Sequence, residues 1–255
     1  MDAERLRPTA LRLALMVLVV ADLLRLLVES SFMADSVYLG PPVSWVGHAA
    51  ESIWLLGIAA LIAAVGIVRW GRVGSSLGGG VALIVLATMS IVHTYTRGEH
   101  DESFFFTGML LGGWLITEAG ARALGKGMTP AEAARWGTVG AMAFLAGAYM
   151  TAGVAKLGSV SWGDGENVRL ALSMSPDVYP NSISLGARSW IAGQGWVPRL
   201  VAVFVAVIQI GAVGMVGPPA MRALSGTLLW AMHLGIVVFL GITFPEPLYA
   251  LPMMT

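Results

Sequence analysis

Seven stretches of mostly apolar residues, each close to the ~20 that a helix needs to cross the hydrocarbon core of a bilayer, constrain this chain more than any other feature. They are Ala10–Ser31, Ser52–Val68, Leu77–Thr96, Ser103–Gly120, Trp136–Leu157, Arg199–Gly217 and Met221–Thr243. Composition agrees: 56% of the residues are hydrophobic, 12% are charged and the mean hydropathy is +0.77. A soluble domain carries about 25% charge. The balance excludes a soluble enzyme, a disordered region and a nucleic-acid binder, which would need clustered basic charge. The expected fold is all-α, a polytopic bundle of about seven transmembrane helices forming a single domain over residues 1–255. The first run follows Arg5 and Arg7, includes Arg12, and continues to Phe32 without a small-x-small cleavage site. It therefore reads as a retained helix rather than a signal peptide.

Orientation follows from the connections, because Lys and Arg are retained on the cytoplasmic side. The N-terminal segment holds Arg5, Arg7 and Arg12, the second connection Arg69 and Arg72, the fourth Arg122, Lys126 and Arg135, and the sixth Arg222. The first connection has no basic residue and the third only Arg97. This alternation places the N-terminus inside. The fifth connection, Gly158–Val197, is too polar to span and too long for a simple link. It is expected outside, as short interfacial helices anchored by Trp190 and Trp196. Its Arg169 and Arg188 weigh little in a loop of that length.

The chain has no cysteine, which removes disulfides, thiolate nucleophiles, Cys-ligated zinc and iron–sulfur clusters. Chemistry must come from Lys, His, Asp, Glu, Tyr, Ser or Thr, or from a bound cofactor. An ionisable group inside a span costs roughly 2.5–3.5 kcal/mol on insertion scales, so each needs a partner, a water cavity or a function. In the expected topology Asp22, Arg25, Glu29, His93, His100, Asp101, Glu102, Lys156, His48 and Glu51 all gather toward the outer surface. Asp22 and Arg25, spaced i, i+3, either neutralise each other or serve a site. His48 and Glu51 read as an exposed helix start. His93 and the mid-span His233 are open to a structural or a functional reading, and Gln209 to a helix–helix hydrogen bond. The inner ends offer Glu118 and ordinary positive-inside arginines.

Lys156 stands apart. In Tyr149-Met150-Thr151-Ala152-Gly153-Val154-Ala155-Lys156-Leu157, the residues Tyr149, Gly153 and Lys156 share one helix face. Gly153 admits either another helix or a flat ligand beside the ammonium. Position alone suits a snorkelling lysine. In a dry cavity, desolvation would favour the neutral amine and make it a usable base.

Tyr149-x-x-Ala152-Gly153-Val154-x-Lys156-Leu157 followed by Trp162-x-Asp164-Gly165 resembles the signature of the vitamin K-dependent gamma-glutamyl carboxylase membrane domain, also called the horizontally transferred transmembrane domain. Gly98-Glu99-His100 before Ser103-Phe104-Phe105-Phe106-Thr107-Gly108 is similar to the family's Asn-His-aromatic stretch, and Met232-His233-Leu234 is a third match in the same order. The resemblance implies that Lys156 deprotonates a reduced vitamin K or menaquinol-type quinone and that His100 assists. Oxygen then attacks the quinol anion, and the alkoxide formed takes a glutamate γ-proton so that carbon dioxide is captured. Trp162 and Asp164 would shape the entrance, with Tyr149, Gly153, His93 and His233 around the quinone. The chemistry requires no metal. Stand-alone members of this group are bacterial, so the expected location is a bacterial inner membrane.

The sequence departs from the family at Glu99, where an asparagine is usual, and at Ala155, where a second lysine is. The family's large extracytoplasmic domain does not follow before Thr255. Quinol chemistry is therefore expected over carboxylation of a propeptide-bearing protein. The rival reading is a non-catalytic maturation or binding factor that grips a secreted peptide or a lipid through the fifth connection. A transporter lacks its inverted repeat, and a retinal protein lacks its lysine in the seventh helix.

Overall fold

The computed structural model describes residues 3–31, 53–73, 76–97, 102–125, 127–173, 185–240 and 245–254. Every described element is helical: α1 (Ala3–Ser31), α2 (Ile53–Val73), α3 (Ser76–Arg97), α4 (Glu102–Leu124) and α5 (Pro130–Leu157) come first. The short α6 (Val160–Gly163), α7 (Glu166–Ser173) and α8 (Leu185–Gly193) follow, then α9 (Val197–Ile210), which continues as a 3-10 turn over Gly211–Val216. The chain closes with α10 (Pro219–Leu240) and α11 (Pro245–Met254). The described part of each of the seven apolar stretches is helical, but for Gly217 at the end of the sixth. Three of the described helices, Pro130–Leu157, Val197–Val216 and Pro219–Leu240, are long and apolar enough to cross a bilayer, and shorter apolar helical runs cover Ile58–Trp70 and Leu77–Thr88.

The chain divides into two compact units, Met1–Ala141 and Met142–Thr255, with the boundary inside α5. In the first unit, α1 buries Leu11, Leu15, Leu18, Val19, Asp22 and Leu23, which recur every three or four residues and so line one face. That face packs on α2, α3 and α4. α2 and α3 cross backbone to backbone. A Cβ on Gly66 would lie 2.6 Å from the Gly78 carbonyl oxygen, and a Cβ on Gly78 would strike the Gly66 carbonyl in turn. Small residues at such a crossing replace the hydrophobic drive that lipid does not supply.

The same unit holds a charged cluster. Glu118 of α4 is 1% exposed and accepts hydrogen bonds from Trp114 Nε1 at 2.7 Å and from Arg122 at 2.7 Å. Arg12 of α1 lies 3.6 Å from the same carboxylate. Its guanidinium also sits over Trp70 and Trp114, 5.2 and 5.4 Å from the ring centroids. The two indoles meet edge to face at 5.6 Å. The arginines read from the sequence as topological signals therefore hold a buried carboxylate as well.

α5 begins six residues before the apolar run that marks it in the sequence, because polar groups close its first turn. Glu132 accepts from Thr129 N–H and Thr129 Oγ1, both at 2.8 Å, while Glu132 N–H donates to Thr129 Oγ1 at 3.3 Å, with Pro130 between them. This is a capping box with proline in the first turn. Thr129→Ala is expected to cost about 1 kcal/mol. Reversible unfolding in mixed micelles measures it, and no change would show that the cap is redundant.

In the second unit, α7 packs on α6, α8 and α9, and α11 packs on α10, where Trp230 Nε1 donates to the Leu248 carbonyl at 3.2 Å. Arg188 of α8 is buried and donates to the carbonyls of Leu172 at 3.1 Å and Ala171 at 3.2 Å. It thus satisfies the open C-terminal end of α7, as a basic group there is suited to do. Two parts of the long fifth connection, α7 and α8, are tied together by that side chain. Trp190 and Trp196 are exposed.

Candidate functional site

The residues that the sequence places on one face of α5 lie in the second unit, and each has found a different neighbour. Tyr149 is buried, and its hydroxyl lies 2.6 Å from His233 Nε2 on α10, with the two rings 5.7 Å apart at 63°. His233 is buried as well. One turn along, Gly153 meets α9. A Cβ there would lie 2.7 Å from the Ala206 carbonyl oxygen, 2.9 Å from Ile210 Cγ1 and 3.0 Å from Gln209 Cβ. Of the two uses left open for Gly153, close approach of a helix is the one seen, and α9 fills the space. A further turn along, Lys156 carries its ammonium 4.9 Å from the centroid of the Trp162 ring on α6. Lys156 and Trp162 are both half-buried.

The Trp162-x-Asp164-Gly165 motif has a structural side. Asp164 is exposed and ends α6. Gly165 has φ of 75°, and a Cβ there would lie 2.6 Å from the carbonyl carbon of Pro198 and 2.7 Å from Arg199 Cα. Only glycine combines that left-handed conformation with so close a backbone neighbour. The turn seats α7 against the start of α9, so the Gly165 part of the motif builds the scaffold around Lys156 and Trp162.

His100, Asp101, His48 and Glu51 lie outside the described residues, as does the whole Gly98-Glu99-His100 stretch. His93 is on α3 with its side chain outside the description, and Glu102 opens α4 in the same condition. Asp22 is buried on α1. Among the described residues, no three His, Asp or Glu side chains stand together as metal ligands would.

Gln209 gains weight from the structure. It is 8% exposed, and its Oε1 is enclosed with no hydrogen-bond partner among the described residues. Its sequence signal was an isolated amide in an apolar run, directly before Ile210-Gly211. The Tyr149–His233 bond joins residues 84 apart in the chain, so the sequence names both ends and not the pair. Within one unit the site therefore comprises a lysine on an indole face, a buried tyrosine–histidine hydrogen bond and an enclosed amide oxygen. Comparisons of the chain with family models, with curated proteins and with solved structures return no match.

Proposed function

We propose that the chain is a polytopic membrane enzyme in which Lys156 acts as base on a quinol or similar lipid-soluble substrate, in chemistry of the epoxidation or carboxylation type with oxygen. The reading takes the bundle as seven spans with the N-terminus inside, in a bacterial inner membrane. Its site is then at the outer rim, where a reduced vitamin K or menaquinol-type ring enters from the lipid. His100 assists, and a secreted peptide is the candidate second substrate. The observation that carries it is the Lys156 ammonium on the Trp162 face, on the same side of α5 as Tyr149 with its bond to His233. Taking the quinol proton turns the amine into an ammonium. An indole face attracts a cation by about 0.5–2 kcal/mol, which stabilises the state that follows proton transfer and equally holds the resting lysine protonated, so in this reading Lys156 must give up a proton before it acts as base.

Lys156→Met is expected to lower quinol turnover by ~10²-fold or more, the span that general-base groups contribute. Helicity and detergent stability should stay near the parent's. Oxidation of menaquinol by the purified protein in nanodiscs, followed spectroscopically, measures it, and unchanged turnover would end the proposal. The binding-factor reading draws on the Arg188 link between α7 and α8. It expects Lys156→Arg to be silent while Arg188→Ala removes activity in cells, so the same pair of variants separates the two.

A further inference from the structure

One end of the first unit gathers more positive charge than it neutralises. Arg12 of α1, Trp70 of α2 and Glu118 and Arg122 of α4 meet there, and Gly137 of α5 lies against the Trp114 ring. Both guanidiniums approach the same oxygen, Glu118 Oε1, Arg122 at 2.7 Å and Arg12 at 3.6 Å. The first distance is a hydrogen bond and the second is too long for one. The other oxygen, Oε2, accepts from the Trp114 indole. One carboxylate thus faces two cations, and Arg12 is drawn in by charge without the acceptors its five N–H donors could use. Its Nε is enclosed with no hydrogen-bond partner among the described residues. Of the other charged side chains described at this end, Arg69, Arg135 and Glu132 are exposed and add to the surplus.

We propose that Arg12 and Arg122 together hold the phosphate of an anionic phospholipid of the phosphatidylglycerol type. The proposal rests on the first unit lying in a bilayer, as read above, and is independent of the quinol chemistry in the second. A phosphodiester offers one negative charge and two free oxygens, which guanidinium forks match in shape and charge. Because both heads reach one carboxylate oxygen, a single phosphate can bridge them. The pair is open to the outside, with the Arg12 side chain 20% exposed and that of Arg122 42%. Its depth suits a headgroup. Exposed Leu13, Val65 and Ile116 continue α1, α2 and α4 away from this end as apolar surface. The pair therefore lies at the boundary between apolar and charged surface, where lipid phosphates stand. A zwitterionic lipid brings a cation along with its phosphate and leaves the surplus in place, whereas an anionic lipid cancels it.

The test uses the full chain, delipidated in dodecyl maltoside. Native mass spectrometry reads its binding of phosphatidylglycerol and of phosphatidylcholine with the same acyl chains. The parent is expected to bind phosphatidylglycerol about tenfold more tightly, the lower end of what a charge-assisted hydrogen bond gives. Arg122→Ala removes a partly exposed head and should bring phosphatidylglycerol down to the phosphatidylcholine level. Arg12→Lys keeps the charge without the fork and should lose most of the preference. Arg69→Ala removes a charge of the same end outside the pair and should keep it. Equal binding of the two lipids by the parent overturns the proposal, as does a preference retained in Arg122→Ala. An equal loss in Arg69→Ala also overturns it, since the attraction would then be diffuse. Displacement of the lipid by millimolar inorganic phosphate would assign the pair to a free anion and overturn the lipid. A parent that takes up neither lipid overturns the bilayer placement of the first unit, and the proposal with it. Should Arg12→Lys fail to fold, Arg122→Ala decides alone.

Discussion

Glu118→Ala is expected to destabilise the first unit by roughly 3–5 kcal/mol, the usual cost of removing one partner from a buried ion pair. The loss exceeds the bonds themselves. The alanine would strand the Trp114 indole N–H and leave Arg12 opposite Arg122 with no charge between them. Arg122 is about two-fifths exposed, so water takes over its solvation and its share is small. Arg12 is four-fifths buried under two indoles, and it carries most of the penalty. Arg12→Ala should therefore cost less than Glu118→Ala, because the carboxylate keeps Trp114 and Arg122. Glu118→Gln should fall between the two. Steric trapping or mixed-micelle unfolding reads these values, and a double-mutant cycle isolates the Arg12–Glu118 term. A loss under ~1 kcal/mol for Glu118→Ala would show that the cluster is solvated and not a structural tie.

Gly78→Val is expected to do comparable damage by a different route. Its first added carbon lands on the Gly66 carbonyl and 3.3 Å from the Trp70 backbone nitrogen. Backbone cannot rotate aside as a side chain can, so α2 and α3 must separate along their length. The cost should exceed the ~1–3 kcal/mol of ordinary overpacking, and Gly66→Val should match it. Gly80 is the control on the same helix. Among the described residues, no heavy atom beyond its own helix backbone lies within 4 Å of the position its Cβ would take, so Gly80→Ala should be neutral or stabilising by up to ~1 kcal/mol. Equal behaviour of Gly78→Val and Gly80→Ala in unfolding would refute the crossing as described.

The helices were legible because long apolar runs announce themselves by length and apolarity alone, and those two properties do not depend on partners; three of the described helices are long and apolar enough to span. Boundaries were less so where polar residues make the structure. Thr129 and Glu132 begin α5 through mutual hydrogen bonds that an apolar window discards. The face of Tyr149, Gly153 and Lys156 followed from helical spacing, yet which neighbour each would meet did not. Gly153 alone fits a ligand or a helix equally well, and only the position of α9 decides between them. Arg12 and Arg122 were read for the side of the membrane they mark, and Arg188 was given little weight because its loop is long. That reading ignores reach, and a guanidinium is long enough to report orientation while also holding Glu118 or the end of α7.

The tightening of α9 after Ile210 has a consequence in length. An α-helix rises about 1.5 Å per residue and a 3-10 turn about 2.0 Å. The 14 residues of α9 and the 6 that follow thus extend about 33 Å, the same as the 22 residues of α10 at about 1.5 Å each. Two arms of unequal residue count therefore come out equal in length. Were Gly211–Val216 to relax into regular α-helix, the shorter arm would fall about 3 Å short. The bilayer would then have to thin, or the arm to stand more upright, to make up the difference.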